Sequence, residues 1–193
     1  MQFSIGDKVI YPKHGAGQIT GVEHQELVEG FEHYYVVEIF DKRVIAHVPM
    51  RKADELGVRP VMSRARLARV LDTLRGIPRQ LSEDFKERQE RIKKKLKTAR
   101  PIALAEVVRD LTWRERLTRL SKADTDLLAR GRELLATEIA LVAEAGVADA
   151  EQMIDAALAV AVVREPGEEE PEQEVSTPVW DTISEKAKLW NER

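Results

Sequence analysis

The sequence predicts an α+β protein in which a small barrel of β-strands precedes an all-helical domain of about five helices. Two observations carry this. Over the first 50 residues the apolar residues fall in short β-branched and aromatic runs broken by turn signals, and from Pro49 their period changes to that of a helix. Charge is segregated as well. Residues 1–60 carry 7 Lys/Arg against 9 Asp/Glu, residues 61–164 carry 21 against 16, and residues 165–193 carry 3 against 9, so a net charge of −3 conceals a basic middle and an acidic end.

The strand runs are Lys8–Tyr11, Ala16–Val22, His33–Phe40 and Arg43–Val48. Pro12-Lys13-His14-Gly15, Glu29-Gly30 and Asp41-Lys42 separate them with turn chemistry. Three to five short strands with tight connections suit an SH3-like or Tudor-like barrel. This N-terminal domain takes residues 1–60.

Residues 61–164 read as helices. Ser63 caps a first one, with Leu67, Val70, Leu71 and Leu74 on one face, and Gly76-Ile77-Pro78 ends it. Ser82, followed by Glu83 and Asp84, opens a second, its carboxylates complementing the positive helix start. Pro101 starts a third, with Leu104, Val107, Val108 and Leu111 as its stripe. Ser121 and Asp124 have capping-box spacing and begin a fourth, in which Gly131 occupies a stripe position and lets another helix approach. Asp149 begins a fifth, carrying Met153, Ile154, Ala157, Leu158 and Ala161.

Residues 165–178 hold six Glu, three Pro and no basic residue, a composition expected of a disordered acidic linker. Residues 179–193 then place Val179, Trp180, Ile183, Ala187 and Trp190 at the spacing of a short amphipathic helix. The N-terminus has neither a basic n-region nor an apolar h-region, and Ala156–Val163 is too short to cross a bilayer, so a soluble, cytoplasmic protein is expected. Zero cysteines exclude disulfides and a cysteine-ligated zinc site.

Catalytic motifs are absent: there is no nucleophile elbow, HExxH, Walker A loop or dinucleotide fingerprint. His14-Gly15-Ala16-Gly17 is glycine-rich but lies between strands. The four histidines (14, 24, 33 and 47) show no i, i+2 or i, i+4 pairing, and surface histidines explain them more readily than a metal site. Glu83-Asp84 reads as helix-start charge and not as an acid–base dyad. No enzyme, cofactor or metal is expected.

Residues 86–100 contain eight basic and two acidic side chains, while Phe85, Ile92 and Leu96 form the apolar stripe of that helix. Two readings of the charge weigh equally, a solvated helix with a Glu87–Arg91 pair or a surface that neutralises phosphates. Spacing alone favours Phe85 as core over an exposed apolar wedge able to unstack a base step. Trp113, eleven residues after Ile102, falls on the same face and is expected in the core.

Taken in order, Gly6-Asp7-Lys8-Val9-Ile10-Tyr11-Pro12-Lys13-His14-Gly15, Val48-Pro49 with Gly57-Val58-Arg59, Ala105-Glu106-Val107-Val108-Arg109-Asp110-Leu111 and the run Leu120-Ser121 through Arg132-Glu133-Leu134-Leu135 resemble the CarD/CdnL family of bacterial transcription regulators over approximately residues 3–162. The first piece is also similar to the polymerase-interacting module of transcription-repair coupling factors. The resemblance implies a Tudor-like domain that binds the RNA polymerase β subunit through an exposed sheet edge, here the strand ending Ala46-His47-Val48-Pro49, together with the loop near Gln25. Some relatives carry arginines at the positions matching His47 and near Gln25; this chain has neither.

The resemblance further implies that the helical domain meets promoter DNA at the upstream edge of the bubble, where a tryptophan wedges into the minor groove. Phe85 stands at that position, with Lys86, Arg88 and Arg91 as implied phosphate contacts. A nucleoid-associated bacterial regulator, monomeric when free, that stabilises the open complex is the expected function. The main alternative is a stand-alone nucleoid-type DNA-binding protein whose β module mediates self-association, and a third class is a catalytic or metal-binding protein that uses the β-module histidines.

Overall fold

The computed structural model describes residues 3–40 and 44–161. The expected Asp41-Lys42 turn, the acidic linker, and the C-terminal segment with Trp180 and Trp190 lie outside the described residues.

Five antiparallel strands form the N-terminal module: β1 (Lys8–Tyr11), β2 (Gly15–Val28), β3 (Phe31–Ile39), β4 (Val44–Pro49) and β5 (Arg59–Pro60). Their order is β4-β3-β2-β1-β5, which leaves β4 and β5 as the end strands. Two of the expected turns fall where glycine permits a left-handed backbone, with φ of +109° at Gly15 and +82° at Gly30. Gly17 serves a different need. A side-chain carbon there would press into the Glu38 carbonyl of β3, so only glycine lets these two central strands approach.

Tyr35, Val37 and Ile39 of β3 face one side of the sheet and pack with Val9, Ile19 and Val48. The Tyr35 hydroxyl accepts a hydrogen bond from the Phe3 amide (3.0 Å), closing the chain's start over this core. Ile10 and Ala16 face the other side, where they meet Ala99 and the half-buried Val61 and Leu141 of the helical part.

Among the described residues five helices follow: α1 (Arg64–Arg75), α2 (Phe85–Thr98), α3 (Pro101–Leu117), α4 (Lys122–Ala143) and α5 (Val147–Ala161). Ser63 and Ser121 cap α1 and α4 as expected, accepting from Arg66 N and Asp124 N. For α2 the cap is Asp84 and not Ser82, whose hydroxyl instead bonds Glu87 Oε2 (2.7 Å). Helix α5 starts two residues before Asp149, whose carboxylate accepts from Gly146 N (3.1 Å). Val70, Leu74, Leu104, Leu111, Leu135, Ile139 and Ile154 join in one core. Trp113 is only half-buried and stays outside that core.

One buried carboxylate ties the sheet to the helices. Glu138 of α4, fully buried, accepts from both terminal nitrogens of Arg59 on β5 (2.7 Å each) and from Met62 N (2.9 Å). Arg59 also donates to the carbonyl of Ala99, the C-cap of α2. A buried charge survives only when paired and hydrogen-bonded, so this contact specifies one arrangement of β5, α2 and α4.

Candidate nucleic-acid interface

The surface is built from the first turn of α2. Asp84 Oδ1 accepts from Lys86 N (2.8 Å) and Glu87 N (3.0 Å), satisfying donors that a helix start leaves free. Two further contacts hold the residues before the cap. Arg88 Nη1 donates to the carbonyls of Ser82 (2.7 Å) and Glu83 (3.2 Å). Arg114 of α3 grips the Glu83 carboxylate with both terminal nitrogens, at 3.0 Å each. That guanidinium, hydrogen-bonded and charged, holds the Glu83 carboxyl below the usual carboxylate range.

Phe85 sits on this fixed start and is 57% exposed. The Lys86 ammonium lies 5.9 Å from its ring centroid, at the outer limit of a cation–π contact. The spacing-based reading of Phe85 as core is therefore corrected: the ring is on the surface.

Arg88 requires the opposite correction. It is 5% exposed, and its Nη2 pairs with Asp124 Oδ2 of α4 at 2.9 Å. Burial pushes the Asp124 carboxyl up, but hydrogen bonds with Arg88 and Ser121 outweigh that and hold it below its ordinary value. A guanidinium enclosed this way is turned away from the surface and anchors the loop that presents Phe85.

The rest of α2 divides cleanly. Arg88, Ile92 and Leu96 face inward. Lys86, Lys93 and Lys97 share the outer face at near-heptad spacing, spanning about 16 Å of helix axis. Arg91 is exposed but bonds Glu87 (2.6 Å) on its own helix. Lys95 is turned aside to Glu106 of α3 (2.7 Å). Burial raises the Glu106 carboxyl, yet the Lys95 ammonium prevails and its net shift is downward. Lys93, Lys94, Lys97 and Arg100 were not singled out from the sequence, although the 3.6-residue period marks which of the eight basic residues share a face. Glu90 is exposed on that face and interrupts it.

The other expected surface lies on β4, an end strand paired only with β3 among the described residues. Val48 is buried in the sheet core and can offer a partner only its backbone. Ala46 and Pro49 are half-buried. His47 is exposed and contacts Glu23 of β2 at 3.1 Å. Ile45, 60% exposed on the same face as His47, is a member that sequence reading missed; alternation along Val44–Val48 is the signal that places it there. The backbone of Gln25 belongs to β2, and its side chain lies outside the described residues.

Pairing of β2 with β3 also assembles a group that sequence spacing hides. His24 stands opposite His33, and Glu32 reaches the same place (His24 Nε2 to Glu32 Oε2, 3.7 Å).

No helix among the described residues is long and apolar enough to cross a membrane. Comparison with known proteins divides the chain where the fold does. Residues 3–62 match the model of the CarD-like/TRCF RID domain, and residues 69–155 match that of the CarD C-terminal domain. The chain is also 29% identical over 140 residues to a Bacillus subtilis (strain 168) protein named "Putative transcription factor YdeB", an overlap of 72% of this chain and 92% of the relative.

Proposed function

Because the chain belongs to the CarD-like family, whose members are transcription regulators and not enzymes, we propose that it binds RNA polymerase and promoter DNA at the same time and stabilises the open complex. The CarD-like/TRCF RID module supports RNA polymerase as a partner, and end strand β4 of that module offers backbone groups that an extended strand of the β subunit can pair with. Phe85 serves as the wedge at the upstream edge of the bubble. A phenylalanine keeps the flat apolar shape needed to unstack a base step, with less area than an indole and no N–H. Lys86, Lys93 and Lys97 contact phosphates along the outer face of α2, and Arg91 does so by exchanging Glu87 for phosphate.

The observation that carries this reading is an exposed aromatic ring on a helix start held by three separate contacts, at the head of a cationic face. Tethering to the polymerase makes weak DNA contacts effective, so slight affinity for free DNA is expected. The test is the lifetime of open complexes on a promoter. Phe85→Ala shortens it while polymerase binding persists, and Phe85→Trp preserves or lengthens it. Equal lifetimes with the unaltered protein and Phe85→Ala, or no capture of the polymerase β subunit, overturn the proposal.

A further inference from the structure

We propose that the β2–β3 hairpin binds a divalent transition-metal ion of the zinc class through His24, Glu32 and His33. This lies outside the polymerase and DNA contacts above. The two imidazoles are cross-strand partners whose rings meet edge to face, with centroids 4.6 Å apart. One potential ligand atom from each of the three side chains lies within 4.8 Å of the other two. Metal–ligand distances of about 2.0–2.2 Å in a tetrahedral site require ligand atoms roughly 3.4 Å apart. All three side chains are exposed, so small rotations about their χ angles close that difference without moving the strands.

The donor set selects the metal. Two neutral imidazoles and one carboxylate suit zinc and its neighbours, whereas calcium and magnesium need a shell of oxygen ligands. Three protein ligands leave one position to water, and Arg51 borders the same hollow as Glu32 and His33, so the site is weaker than a closed structural centre. The mechanical effect is local. The β2–β3 register slips between His24 and Val28, and an ion bridging His24 to the other strand fastens the hairpin where regular pairing ends.

Isothermal titration of zinc into the full chain, free of any histidine tag, tests this. One ion binds per chain, and the thermal midpoint rises with zinc. His24→Ala and His33→Ala each weaken binding at least about tenfold, Glu32→Gln weakens it less, and the midpoint of the double histidine variant no longer responds. Far-UV circular dichroism confirms that the variants are folded, and His24→Gln repeats the loss if an alanine disturbs the strand. Absence of zinc binding overturns the proposal. So does undiminished binding in the double variant, which would place the ion on His14 or on His47 with Glu23.

Discussion

Replacing Arg88 by methionine separates an anchor from a phosphate contact, because the two roles give opposite results. Methionine keeps much of the aliphatic volume but removes the charge. Asp124, 1% exposed, then loses the partner 2.9 Å away, and the carbonyls of Ser82 and Glu83 lose their donor. Leaving one member of a buried ion pair uncompensated costs about 3–5 kcal/mol. An exposed phosphate-binding arginine would instead cost at most about 0.5 kcal/mol of stability. Urea unfolding at pH 7 measures the difference, and Arg88→Met/Asp124→Asn closes a double-mutant cycle in which the second change recovers part of the loss. A single-variant loss below about 1 kcal/mol refutes the assignment of Arg88 as a buried anchor.

Three other outcomes rest on equally specific contacts. Gly17→Ala drives a methyl group into the Glu38 carbonyl and destabilises the sheet by about 1–3 kcal/mol, read as a lower urea midpoint. Gly131→Ala goes the other way. Its new carbon meets Val108 at 3.4 Å, Leu96 at 3.5 Å and Val107 at 3.6 Å, ordinary contacts, so the helix-propensity gain of up to about 1 kcal/mol appears as a raised thermal midpoint. The third concerns pH. Asp124, Glu83 and Glu106 titrate below their ordinary values in the folded protein. Their contribution is therefore fully present above the unfolded carboxylate range near pH 4 and is lost as pH falls through the depressed folded values. Unfolding measured between about pH 2 and 6 shows this loss, and Asp124→Asn lowers stability at neutral pH while flattening the acid limb; an unchanged limb contradicts it.

Local rules read the helices well because their signals are local. Ser63, Pro101 and Ser121 each state where a helix begins, and the 3.6-residue stripe names Leu104, Val107, Val108 and Leu111 of α3, though not the buried Arg109 and Asp110 beside them or Glu138 of α4. The strands were less legible. His24-Gln25-Glu26 is polar and resembles a loop, yet β2 continues to Val28, where pairing with β3 resumes at Phe31 after a register shift, a tertiary effect that overrides propensity. The same pairing joins His24 to His33, nine residues away, a relation that no helical or alternating spacing encodes. The edge position of β4 followed only from the family resemblance; nothing in Val44–Pro49 itself distinguishes an end strand from a central one.

Phe85 marks the point at which periodicity stops reporting burial. It shares the azimuth of Ile92 and Leu96, and a stripe drawn on the helix alone puts it inside. What decides the matter is the neighbour on the facing helices. Between Phe85 and Ile92 the inward position belongs to Arg88, and opposite it stands Asp124, so the apolar interface ends at a charged pair one turn before the helix does. Beyond that pair lies the Arg114–Glu83 contact, and the ring at position 85 stays 57% exposed. Substituting it therefore changes stability by no more than about 0.5 kcal/mol. This makes Phe85→Ala a clean probe, since a shortened open-complex lifetime in a variant of unchanged urea midpoint belongs to binding and not to folding.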